Sequence, residues 1–174
     1  MPGTLLPPLD GDDHVRGDAG APLELVMFGD FQCPYCLGAQ SVVRRVRERL
    51  GDRLVFAFRH LPIVERHPLA QLAAEASEAA AARGLFWDYH DAVYAAQPRL
   101  TEGLVADLAV ELGVARDELE AELREGRHAA RVERDVRSAQ DSGVQGTPGF
   151  FVNGERHEEA YDAGSLVDAL TRRG

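Results

Sequence analysis

The stretch MFGDFQCPYCLGAQ, Met27 to Gln40, holds both cysteines of the chain, Cys33 and Cys36, with two residues between them. Thiols at that spacing suit exchange chemistry, in which a thiolate attacks a disulfide sulfur and a neighbouring thiol resolves the mixed disulfide. A structural staple would join distant segments, and a zinc cage needs four ligands. Completing a Cys2His2 set would take two of His14, His60, His67, His90, His128 and His157, and none of these shows the spacing of a zinc-binding histidine pair. No metal is therefore expected. Two inert thiols that happen to be neighbours are the remaining alternative, and the elements around them must decide.

A thiol is mostly protonated at neutral pH, so a reactive one needs surroundings that favour the thiolate. A helix N-terminus offers unpaired backbone N–H groups and the positive end of a dipole. From Pro34 to about Leu50, apolar residues recur at helical spacing: Leu37, Val42, Val43, Val46 and Leu50 share a face, and the arginines of RRVRERL point to solvent. Pro34 falls in the first turn, where its missing N–H costs nothing. Cys33 is then expected as an exposed attacker with a pKa between about 3.5 and 7.5. Cys36, one turn on, is expected as the buried resolving thiol.

The elements that must position this helix follow from the patterning. PLELVMFGD (22–30) and RLVFAFRHLPI (53–63) read as buried strands, and strand–helix–strand over so short a span predicts a parallel pair. Between residues 67 and 143 about five helices are expected without a strand, with Pro68 in a first turn and Thr101 and Asp117 as N-caps. Phe86, Trp87, Tyr89, His90 and Tyr94 read as their core. A hairpin around Asn153-Gly154, with strands at 148–152 and 155–161, and a last helix at 163–173 close the chain. Thr147-Pro148 stands directly before the first hairpin strand, in GVQGTPGFFVNG. A cis bond there would bend the chain and bare the Thr147 backbone, although local sequence alone favours trans.

Taken in order, FGDFQCPYC, FRHLPI, HPLAQLAAEASEAA, FWDYHDAV and GVQGTPGFFVNG resemble the DsbA-type branch of the thioredoxin superfamily, over about Pro22 to Arg172. The resemblance implies an α/β fold: a thioredoxin fold with an inserted all-helical domain. Residues 1–21 would be an extended lead-in, 22–64 and 144–174 the two thioredoxin-like halves, and 65–143 the insert. It implies Cys33 as nucleophile, Cys36 as resolving cysteine, Pro148 as a facing cis-proline and Thr147 as a substrate-contact residue.

Departures from that family matter. Many relatives carry a glutamate six positions before the first cysteine, where this chain has Met27. Thioredoxins often use a buried lysine nearby, and this chain contains none, all 19 of its basic residues being arginine. Asp30 and His60 are the candidate substitutes for the missing proton relay. Asp30 reads more readily as a turn or capping acceptor, and His60 equally well as a packed histidine. Between the cysteines stand Pro34 and Tyr35, and a tyrosine offers the thiolate no positive charge, which points to a mild oxidant.

Composition bounds the partners. The 174 residues are 45% hydrophobic and carry a formal net charge of −10, which argues against a nucleic-acid partner. No run reaches the ~20 apolar residues of a membrane span. The N-terminus lacks the basic opening and apolar stretch of a secretory signal. A cytoplasmic location is expected, or an exported one if a leader has been removed. There is no G-x-G-x-x-G or P-loop, and no cofactor is expected. Thiol–disulfide exchange with protein substrates is the function expected, in a monomer, with glutathione or a thioredoxin-type protein as electron partner. The alternatives are a glutathione-dependent transferase or isomerase of the same fold, and a non-catalytic binding module.

Overall fold

The computed structural model describes residues 3–172. Leu23–Gly29 (β2) is buried at every position but Glu24, and Leu54–His60 (β3) at every position. Strands covered on both faces belong in the middle of a sheet. β2 and β3 pair in parallel from Leu23 opposite Leu54 to Gly29 opposite His60, joined by the helix Pro34–Leu50 (α1). His14–Arg16 (β1) runs antiparallel to β3, Gly149–Val152 (β4) antiparallel to β2, and Glu155–His157 (β5) antiparallel to β4. The sheet order is β1-β3-β2-β4-β5.

Alternation along the strands divides the core in two. Leu23, Leu25, Met27, Phe56, Phe58, Phe150 and Val152 join one cluster with Val43, Val46 and Leu50 of α1. Val26, Phe28, Ala57 and Phe151 join the other, with Leu5, Ala139 and Val144. Between β3 and β4 come five helices and, among the described residues, no strand: Ala70–Ala81 (α2), Phe86–Ala96 (α3), Glu102–Glu111 (α4), Arg116–Arg124 (α5) and Ala129–Asp141 (α6). Alanine-rich α2 touches all the others, its small side chains allowing close approach. The aromatic residues of α3 sit in or against the first cluster, as patterning indicates. The helix Ala163–Thr171 (α7) closes the chain, capped by Asp162, whose Oδ1 accepts from Ser165 N at 3.0 Å. Among the described residues no helix is long and apolar enough to cross a membrane.

Several sequence expectations need correction. Thr101 caps α4, its Oγ1 accepting from Leu104 N at 3.1 Å, but Asp117 caps nothing. α5 starts after Ala115, and Asp117 lies in its first turn, where a carboxylate still meets the favourable end of the dipole. Pro68 precedes α2 rather than opening it, because Leu69 occupies the N-cap. β5 ends at His157, well short of residue 161. The N-terminal lead-in is not merely extended: it supplies edge strand β1 and buries Leu5 to 1% exposure. Its Asp13 pairs with Arg59 of β3 and its Asp10 with Arg134 of α6, which local composition does not reveal.

Candidate active site

Cys33 is the N-cap of α1, with extended backbone (φ −75°, ψ 121°), and Pro34 takes the first helical position. This arrangement aims the free N–H groups of the first turn at the Cys33 sulfur. Both sulfurs are free thiols. The correction here concerns exposure: Cys33 is 3% exposed and Cys36 0%. Cys33 is tucked under the loop before β4, its Sγ 3.7 Å from the carbonyl oxygen of Thr147. Tyr35 beside it is 71% exposed. The Thr147–Pro148 peptide is cis, and both residues are half-buried.

The two thiols titrate in opposite directions. A hydrogen bond from the Cys36 thiol is the largest influence on Cys33; with the Thr147 side chain and the backbone N–H groups of Cys36 and Tyr35 it outweighs burial and lowers the Cys33 pKa to about 5. Burial, followed by the neighbouring Cys33 thiolate, pushes the Cys36 thiol far above its usual range. At neutral pH the pair is therefore one thiolate and one thiol that donates to it.

The loop carrying Cys33 is tied down at several points. Asp30 Oδ1 accepts from Gln32 N at 2.7 Å, and Oδ2 accepts from Ile63 N and lies beside His67 Nδ1, each at 2.8 Å. Both oxygens are thus engaged in holding two loops together, which is the turn-acceptor role. His60 is buried, its ring Nε2 2.7 Å from Glu78 Oε1 and its backbone N–H donated to Asp135 Oδ2 at 2.9 Å. Both contacts run to helices of the segment between β3 and β4. Met27 is fully buried on β2, with the Gln40 amide 4.0 Å from its sulfur.

Residues that sequence reasoning missed come from α3 and the turn after it. Tyr94 OH donates to the Asp30 carbonyl at 3.2 Å. Gln97 Nε2 donates to the carbonyls of Phe31 at 2.8 Å and Cys33 at 2.9 Å. Gly29 is explained chiefly by Phe58, since a Cβ there would come within 2.4 Å of that ring, and also within 3.2 Å of the Tyr94 hydroxyl. Gln97 follows a helical pattern directly before a proline, and nothing local marks it as an active-site contact.

The sequence matches the Thioredoxin family's sequence model over residues 9–172. Among curated relatives, the Na(+)/H(+) antiporter NhaA 1 of Salinispora arenicola is 44% identical over 170 residues, 96% of this chain and 26% of that protein. The Na(+)/H(+) antiporter NhaA of Herminiimonas arsenicoxydans is 41% identical over 177 residues, 100% of this chain and 28% of that protein. The chain spans about a quarter of the length of these relatives. Among solved structures, oxidised BdbD from Bacillus subtilis superposes with a TM-score of 0.86 at 26% identity, covering 100% of this chain and 98% of that one. A thioredoxin-like oxidoreductase from Silicibacter pomeroyi gives 0.81 at 25% identity, over 94% and 93% of the two chains.

Proposed function

The chain belongs to the thioredoxin family, and from that premise we propose that it is an enzyme exchanging disulfides with protein substrates through Cys33 and Cys36. One observation carries the reading: Cys33 caps a helix N-terminus with Cys36 buried one turn away, surroundings that lower the pKa of the first thiol and raise that of the second. An inert structural pair would lack that asymmetry. A transferase that uses a single thiol has no need of the second.

With the pair oxidised, a substrate thiolate attacks Cys33 Sγ, the Cys33–Cys36 bond breaks, and Cys36 leaves and takes up a proton. A second substrate thiolate then attacks the substrate sulfur of the mixed disulfide. Cys33 departs as a thiolate, and the substrate holds a new disulfide. The two substrate thiols have lost two electrons and the enzyme pair has gained them. Cys33 is a good leaving group because its thiolate is stable well below neutral pH. A reducing pool, such as that of the cytoplasm, would run the same steps backwards. The exposed Tyr35 ring and the half-buried Thr147-Pro148 edge are where the incoming polypeptide would lie. The antiport named in the curated relatives is not proposed for this chain.

The test uses oxidised protein and a peptide carrying two separated thiols. Cys33→Ser is expected to bring peptide oxidation down to the uncatalysed rate, whereas Cys36→Ser, given the same peptide as its disulfide, should accumulate a mixed disulfide as the Cys33 thiolate attacks that bond and releases the peptide's other sulfur as a thiolate. Unchanged oxidation by Cys33→Ser refutes the proposal.

A further inference from the structure

Behind the active-site loop, Glu78 of α2 places Oε1 2.6 Å from Nε2 of His14 and 2.7 Å from Nε2 of His60. One donor atom from each of the three residues fits within a 4.8 Å span. They come from β1, β3 and α2, segments brought together only by the fold. The His60 and Glu78 side chains are 1% and 6% exposed, and that of His14 15%, so the cluster is open to solvent along one edge.

The rings are held in place. His14 stacks on Phe86, with centroids 3.6 Å apart and planes 6° from parallel. His60 is boxed by Phe31, Phe58 and Phe86, with centroids at 5.9, 5.5 and 6.0 Å. Ser77 Oγ lies 3.5 Å from His60 Nε2 on the remaining side.

Both imidazole Nε2 atoms converge on the one carboxylate oxygen, Glu78 Oε1. On the opposite face of the same strands, the buried Asp13 carboxylate meets a permanent cation, Arg59. The ion-pair partners of Glu78 among the described residues are the two imidazoles. We propose that His14, His60 and Glu78 form a binding site for a divalent transition-metal cation of the zinc type. Two imidazole nitrogens and one carboxylate oxygen are the donor set of such an ion, whereas calcium and magnesium take oxygen ligands. Donors about 2.0–2.1 Å from a tetrahedral ion stand about 3.3 Å apart, so the contacts of 2.6 and 2.7 Å need open only slightly. Each imidazole presents its Nε2 lone pair to the ion by moving its proton to Nδ1. The fourth position falls to water at the open His14 edge. The bound ion would tie β1, β3 and α2 together.

The test uses tag-free protein with Cys33 and Cys36 oxidised to a disulfide, so that the sulfurs cannot take the metal. After chelator treatment, Zn²⁺ titration by calorimetry is expected to show one equivalent bound, and Co²⁺ to give the intense visible bands of a four- or five-coordinate ion. His14→Ala, at the open edge, should weaken zinc binding by at least about tenfold and remove the cobalt bands. His157→Ala, which alters a histidine that bonds only to Ala160 O at 3.0 Å, should change neither. Wild-type protein that takes up less than one equivalent, or His14→Ala binding that matches wild type, overturns the proposal. Should His14→Ala fail to fold, Glu78→Gln is read by the same two criteria.

Discussion

Two buried charges in this protein are stabilised in contrasting ways. At the start of α1 a neighbouring thiol, a threonine side chain and backbone N–H groups hold the Cys33 thiolate, with no ion-pair partner among the described residues. At the sheet edge the Asp13 carboxylate is gripped by Arg59, whose Nε and Nη2 donate to Oδ1 and Oδ2 at 2.8 Å each, with both side chains 0% exposed. The guanidinium's remaining N–H groups go to the carbonyls of Pro7 and Pro8 and to Ser138 Oγ, at 2.9, 3.2 and 2.8 Å. A charge matched by a fixed ion stays permanently in place. One held by dipoles and thiols can be handed to a substrate sulfur and returned, so the first arrangement suits chemistry and the second suits architecture.

If that division holds, breaking the ion pair should harm stability and leave chemistry alone. Asp13→Ala strands a fully buried guanidinium and frees the N-terminal segment from β3. The expected loss is about 3–5 kcal/mol of unfolding free energy, seen as a lower denaturant midpoint. The rate constant for peptide oxidation per folded molecule should stay within about twofold of wild type, a difference of roughly 0.4 kcal/mol. A stable Asp13→Ala protein that has lost exchange activity would refute the separation.

The same pair shows where the sequence was legible and where it was not. Runs such as LELVMFG and the α1 pattern announce themselves, because their apolar period matches the element they form. The thioredoxin fold with its helical insert follows from those elements and the two motifs, as does the placement of Cys33 at a helix start. Asp13 lies in an Asp- and Gly-rich stretch that reads as a solvated lead-in. Its partner is 46 residues away and is met only once β1 docks beside β3. The same docking gathers His14, His60 and Glu78, which show no metal-like spacing in the sequence. Cys33 was expected to be exposed because helix periodicity says nothing of the Thr147 loop folding over it.

The active-site charge can be disturbed from the insert. Gln97 donates to the carbonyls of Phe31 and Cys33 and so fixes the last turn of chain before α1. Gln97→Leu leaves both oxygens without that donor, at an expected cost of about 1–3 kcal/mol. A purely structural role would stop there. As a positioning residue, Gln97 should also alter the pH profile: the N-cap geometry relaxes, and the midpoint for alkylation of Cys33 moves upward from its wild-type value. A profile superimposable on wild type would restrict Gln97 to stability.

The wild-type profile is the finest test. Cys33 has its pKa lowered to about 5 in the folded dithiol protein, against about 8.5 for a free thiol. Reactivity towards iodoacetamide should be level at neutral pH and fall about tenfold per unit below the midpoint, each unit being about 1.4 kcal/mol. Linkage gives the sign for stability. Because the folded value lies below the unfolded one, the contribution is fully present above the unfolded thiol's pKa. It shrinks as pH falls and is gone below about 5. The oxidised protein has no thiol to titrate and gains nothing from this effect. Melting the two redox forms side by side should therefore show the dithiol form's advantage shrinking by up to about 1.4 kcal/mol for each unit of acidification towards pH 5, while the Asp13–Arg59 pair contributes equally to both. A redox difference that ignores pH across that window would mean that Cys33 is not held as a thiolate, and the contrast between the two charges would fail.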